Sequence, residues 1–144
     1  MRAVLVGEAP GPSAQSGRPL LGDRPATSGS RLRSWCGISA ADWLRVDRVN
    51  LLPIHPGPTW PKTAARAAAQ NLCESLLRGR RLVLLGRRVT AAFDVMGVEF
   101  GVWFDSPLHV RCIAVPHPSG LNLIYNDAAV RDAAASLLRG ILLE

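Results

Sequence analysis

AVLVGEAPG, residues 3–11, decides how the chain is organised. Its first half, AVLV, is a continuous apolar run of the kind found in strands covered on both faces. Its second half leaves that strand through Gly7 and Gly11, with Glu8 between them and Pro10 removing a backbone N–H. GEAPG has neither the G-K-[ST] ending of a P-loop nor the G-x-G-x-x-G spacing of a dinucleotide site. Two uses stay open for the turn. It is either a tight connection or a means of holding a carboxylate at the carboxyl end of a strand.

Similar apolar runs recur at 48–52 (RVNLL), 82–85 (LVLL) and 112–115 (CIAV), and helical patterns separate them. Residues 28–36 put Leu32, Trp35 and Cys36 on one face and stop at Gly37. Residues 61–78 begin at Pro61, carry Ala68, Leu72 and Leu76 at i, i+4 spacing and stop at Gly79. A shorter helix is expected over 87–96. Asn126 is the expected cap of a last helix over 127–139, with Val130, Ala134 and Leu138 facing inward. Strand alternating with helix implies one α/β domain over 1–144, with a parallel sheet between two helical layers. The stretch from Pro10 to Ser30, rich in Gly, Pro and Ser, is long for an α/β loop and reads as functional.

With 144 residues, 48% of them apolar, the chain can bury a core without disulfides or a structural metal. Cys36, Cys73 and Cys112 are far apart and odd in number, so they read as packed core, not as a disulfide framework. The formal charge is +6, and of the 17 basic residues only Lys62 is a lysine. That excess suits a polyanionic partner, although arginine richness also follows from genomic base composition. No apolar stretch approaches the ~20 residues of a membrane span, and the N-terminal run is too short for a signal peptide. A cytoplasmic protein is the expectation.

The unusual residues cluster after strands. NLLPIHP straddles the end of the second, and PHPSGLN follows the fourth. In a parallel sheet these carboxyl ends share one edge, where α/β proteins bind ligands, so Glu8, Asn50, His55 and His117 are expected to converge. His117 stands between two prolines that stiffen its backbone. Ser119 and Gly120 offer a hydroxyl and open backbone N–H groups, and Leu121 has no evident core role. His55, before Pro56, reads either as a pocket group or as part of its own turn. Asp23 reads either as a pocket acid or as a turn cap.

GEAPG after the first strand and HPS after the last together resemble the uracil-DNA glycosylase superfamily, and its thermophilic-type branch in particular. SGRPLLGD resembles that family's GRPF-x-G segment, RVNLLPIHP its second strand and LVLLGRRVT its third. The resemblance runs through most of the chain in the right order. It implies a four-stranded parallel sheet in the order 2-1-3-4, and extrusion of a nucleotide whose N-glycosidic bond is cleaved in a pocket. Glu8 then falls where the family keeps its catalytic carboxylate, and His117 where it keeps a donor to the base. Asn50 falls at the base-edge position and Leu121 at the wedge that fills the gap in the duplex. Ser119 and Gly120 fall in the phosphate-binding turn. Ser13 and Arg18 are either phosphate contacts or solvated loop residues.

The sequence also departs from the family. Three scattered cysteines cannot supply the four ligands of the branch's iron–sulfur cluster, so no cofactor is expected. The stacking phenylalanine of GRPF is replaced by Leu20 or Leu21. Gly11 stands where classical uracil enzymes use a tyrosine to exclude a 5-methyl group. The last two changes imply a wider, less aromatic pocket, suited to uracil or to a C5-modified pyrimidine such as the substituted cytosines of phage DNA, a substrate tied to antiviral defence. With Lys62 as the only lysine, at a helix start, a hydrolase without lyase activity is expected, acting on DNA as a monomer. Two other functions remain open from sequence: a nucleoside or nucleotide hydrolase using the same edge, and a module that binds altered bases without cleaving them.

Overall fold

The computed structural model of the chain describes residues 2–11, 20, 27–75, 78–118 and 123–144. Ser13, Arg18, Leu21, Asp23, Ser119, Gly120 and Leu121 lie outside the described residues, as does Leu76. Five strands form one sheet: β1 (Val4–Gly7), β2 (Asp47–Asn50), β3 (Arg81–Leu85), β4 (Trp103–Asp105) and β5 (Arg111–Val115). Their order is β2-β1-β3-β5-β4. The first four in that order pair in parallel, and they reproduce the expected 2-1-3-4 arrangement.

The expected sheet of four strands is corrected to five. β4 pairs antiparallel with β5 and covers an edge that would otherwise leave backbone groups unpaired. Arg111 bonds Asp105 across the pair at 3.0 Å, and the Gly101 N–H bonds the Ala114 carbonyl at 2.8 Å. Three residues, WFD, carry too little periodicity to announce a strand.

Helices cover both faces because each buried strand has two apolar faces to hide. Val4 and Val6 of β1, Leu82 and Leu84 of β3 and Cys112 of β5 pack with α3 (Lys62–Glu74) and α4 (Gly86–Ala92) through Ala65, Ala69, Val89 and Ala92. Leu5, Val83, Leu85, Ile113 and Val115 face the other way. They meet Leu32, Cys36, Trp43, Leu138 and Ile141 from α1 (Ser28–Cys36), α2 (Ala40–Trp43) and α5 (Ala128–Leu142). The result is the three-layer α/β/α arrangement.

Several helix details differ from the sequence expectation. The buried stripe of α3 is Ala65, Ala69 and Cys73, not the stripe expected through Ala68 and Leu72. Small residues let the helix lie close on the sheet, while Leu72 packs at the margin. Asp127, not Asn126, caps α5, accepting from the N–H groups of Ala129 and Val130. That helix runs on to Leu142, burying Leu138, Ile141 and Leu142, because the apolar pattern continues beyond 139. The helix expected over 87–96 spans Gly86–Ala92. α1 ends as expected at Gly37, whose φ of 61° is the left-handed conformation of a helix stop.

Candidate active site

β1 and β2 lie side by side with Gly7 opposite Asn50, and the pairing continues past the strand ends. The N–H groups of Leu51 and Leu52 bond the carbonyls of Gly7 and Glu8, each at 3.0 Å. These bonds set Glu8 and Asn50 beside each other at the carboxyl edge. Gly7 is required there. A Cβ at Gly7 would lie 2.6 Å from Asn50 Oδ1 and 3.3 Å from Leu20 Cδ1. Among the described residues, Asn50 Oδ1 is buried and has no hydrogen-bond partner. A buried acceptor left without a donor costs about 1–3 kcal/mol, so it marks a site kept for something other than stability.

His117 comes to the same place from two strands away. β3 lies between β1 and β5, and neighbouring strands sit about 4.8 Å apart, so Glu8 and His117 must meet above the end of β3. What stands at that end is Gly86, with φ at 87°. A Cβ there would come within 2.9 Å of His117 Cβ. Because Gly86 lacks one, His117 Nε2 approaches Glu8 Oε2 to 4.0 Å, and each side chain is 24% exposed. That separation is too long for a hydrogen bond but short enough for strong electrostatic coupling. Tyr125, itself buried, holds the segment from behind, its hydroxyl donating to the Pro116 carbonyl at 2.6 Å.

Arg88, in the first turn of α4, completes the electrostatics. Its guanidinium lies 3.9 Å from Glu8 Oε2 and stacks over Trp60, 5.6 Å from the ring centre. Burial pushes the His117 imidazole below its ordinary pKa of 6.5; Glu8 opposes that shift and Arg88 adds to it. His117 is therefore neutral at pH 7, able to donate one N–H without carrying charge. The sign of the stability effect follows. Below pH 6.5 the unfolded chain binds a proton that the folded site resists, so stability is complete above that value and falls as the pH drops toward the folded pKa. Urea unfolding at pH 7.5 and 5.5 should show the decline, and His117→Gln should reduce it. An NMR titration should place the His117 midpoint below 6.5.

Leu20 reaches the pocket through a strained backbone, its φ at 51°. Trp43 Nε1 and Arg48 both donate to its carbonyl, at 2.9 and 3.0 Å, and Gly29 leaves no Cβ where one would clash with that carbonyl. Strain held by several partners is typical of a functional position. Gly11 is exposed, and among the described residues a Cβ there would meet nothing within 4 Å. His55 does not join the group. It is exposed, and its Nδ1 accepts from the Gly57 N–H at 3.1 Å, which is the turn role.

The structure thus brings Glu8, Asn50, Leu20 and His117 to one edge. Sequence reasoning missed Gly86, Arg88 and Tyr125. LVLLGRRVT contains the first two, and a glycine opening a helix directly after a buried strand was the available signal. Cys36, Cys73 and Cys112 are buried, and burial raises their thiol pKa values to about 11, 11 and 12. Cys36 packs on one side of the sheet, Cys73 and Cys112 on the other, so the three do not fit a common cluster. Among the described residues no helix is long and apolar enough to cross a membrane. The family model of the Uracil DNA glycosylase superfamily matches residues 1–138. No curated protein matches the chain.

Proposed function

The chain belongs to the uracil DNA glycosylase superfamily, and from that premise we propose that it is a monofunctional DNA glycosylase. Its substrate is a flipped-out pyrimidine nucleotide, carrying uracil or a C5-modified base. The observation that carries this is the approach of Glu8 and His117 to 4.0 Å above the end of β3, beside the buried, unbonded Oδ1 of Asn50. A carboxylate, a neutral donor and a base-edge acceptor are the groups that hydrolysis of this bond needs.

In the reaction, the C1′–N1 bond breaks with positive charge growing on the sugar and negative charge on the base. Glu8 stabilises the first and orients the water that adds its hydroxide to C1′. His117 donates to the base O2, where the second accumulates, and the leaving base ends by taking the water's remaining proton. One well-placed donor contributes about 3 kcal/mol in an enzyme site. Asn50 bonds the base edge, and with an exocyclic amino donor opposite, Oδ1 gains the partner it lacks. Leu20 covers the base where the family uses an aromatic ring. Open space at Gly11 supports tolerance of a C5 substituent. A role in repair or in defence against phage with modified DNA follows from the base it prefers.

The test is excision from a panel of single strands and duplexes containing uracil, thymine and C5-substituted cytosines, with the released base identified by mass. Release of a pyrimidine and alkali-labile breaks at its position are expected. Cleavage of free nucleosides without cleavage of DNA would replace this reading with that of a nucleoside hydrolase. Salt-sensitive binding to modified DNA without any release would leave a binding module.

A further inference from the structure

Next to the catalytic edge lies a second concavity that the glycosidic reaction does not use. It is a groove of about 600 Å³ between α3, α4 and the segment 95–100, lined by Trp60, Lys62, Arg66, Arg87, Arg88 and Phe100 among others. That volume is of the size that holds a nucleotide-sized ligand. Arg88 forms part of its wall and also faces Glu8 at 3.9 Å, so the groove and the candidate active site share one side chain.

Its chemistry is consistent on every side. Two flat aromatic rings stand in it, each with a guanidinium over its face: Arg88 over Trp60 at 5.6 Å and Arg87 over Phe100 at 4.9 Å. Among the described residues four cationic side chains line it and no carboxylate does. Arg66 is balanced by Asp94 at 2.9 Å, and Arg88 by Glu8 more distantly. Lys62 and Arg87 have no such carboxylate among the described ion pairs. Cations crowded on an apolar floor repel one another until an anion joins them, which argues against an apolar peptide as occupant. Met96 also lines the groove while 82% exposed, so contact with a flat apolar face would remove its surface from water. A π-face to stack and a phosphate to pair are together the chemistry of a nucleotide.

We propose that this groove binds the unpaired nucleotide next to the flipped one on the same DNA strand, stacking its base on Trp60 or Phe100 and pairing its phosphate with Lys62 and Arg87. The proposal rests on the glycosylase reading for the identity of the strand. It makes this chain a reader of single-stranded or locally opened DNA, because a neighbouring base still paired in a duplex has no free face to offer.

The experiment uses single-stranded oligonucleotides with a central 2′-fluoro-deoxyuridine, which resists cleavage, and 2-aminopurine placed at each neighbouring position in turn. With the wild-type protein, 2-aminopurine at one neighbouring position should lose several-fold of its fluorescence on saturation. Trp60→Phe should preserve that loss. Alanine at the ring that stacks, Trp60→Ala or Phe100→Ala, should abolish it and weaken binding roughly tenfold. Trp60 also packs on the core, so Phe100→Ala provides a second variant, with circular dichroism checking that both fold. Arg87→Ser should make the dependence of affinity on salt less steep by about one phosphate contact. Quenching and affinity unchanged in both aromatic variants would overturn the proposal. So would tight filling of the groove by free deoxyadenosine monophosphate, which would make it a small-molecule site. Trp60-dependent quenching with no excision from any DNA would sink the glycosylase reading and leave the groove standing.

Discussion

Replacing Glu8 with glutamine should slow base excision roughly 10³-fold while the protein folds and binds DNA as before. Glutamine keeps the shape of the side chain and removes its charge. Among the described residues the Glu8 carboxylate has ion-pair approaches to Arg88 and His117 at 3.9 and 4.0 Å, both longer than a hydrogen bond, and its side chain is 24% exposed. The change in stability should therefore stay within about 1 kcal/mol. The loss in rate comes from the transition state, where positive charge on the sugar would no longer face a carboxylate. A second readout separates this from a packing defect. Glu8 opposes the downward shift of the His117 pKa, so E8Q should move the His117 midpoint lower still. Single-turnover excision, DNA binding by anisotropy and an NMR titration of His117 measure the three effects. A rate within tenfold of wild type would remove Glu8 from the chemistry.

Gly86→Ala should lose about 2–5 kcal/mol of stability and most of the activity. Two costs add. At a φ of 87° an L side chain is strained by roughly 1–2 kcal/mol. The new Cβ would also sit 2.9 Å from the Cβ of His117, an atom that cannot swing aside without moving the backbone between Pro116 and Pro118. Overpacking of this kind typically costs a further 1–3 kcal/mol. If His117 moves by even 1 Å, excision should fall by about 10²-fold. Gly79→Ala is the control. Its φ is 72° and no atom of the described residues lies within 4 Å of the added one, so it should show the backbone strain alone and keep full activity. Urea unfolding and excision rates on the two variants test the distinction. Equal effects at both glycines would mean that the contact with His117 is irrelevant.

Only part of the site could be read in advance, and the division follows the range of the interactions. The placement of Glu8, Asn50 and His117 was legible because each stands at or just past the carboxyl end of a strand, and parallel pairing obliges all such ends to lie on one edge. Leu20 was legible only as one of two adjacent leucines. The contacts that hold its backbone come from Trp43, Arg48 and Gly29, in other elements. His55 has the same sequence context as the others, yet its ring turns back to bond Gly57, a competition that local sequence does not resolve.

The amino-acid sequence by itself determined the strand and helix alternation, the 2-1-3-4 order through its family resemblance, and the edge on which the polar residues gather. The first and the last of these follow from hydrophobic burial and chain direction, which are written locally. Tertiary structure alone decided that Gly86 opens the path between Glu8 and His117, that Arg88 bears on both and that α3 buries Ala65, Ala69 and Cys73 while Leu72 packs at the margin. It alone decided that Trp60 under Arg88 and Phe100 under Arg87 line a single groove. Each depends on close approach between residues distant in the chain, and a gap of 2.9 or 4.0 Å is set by how whole layers pack.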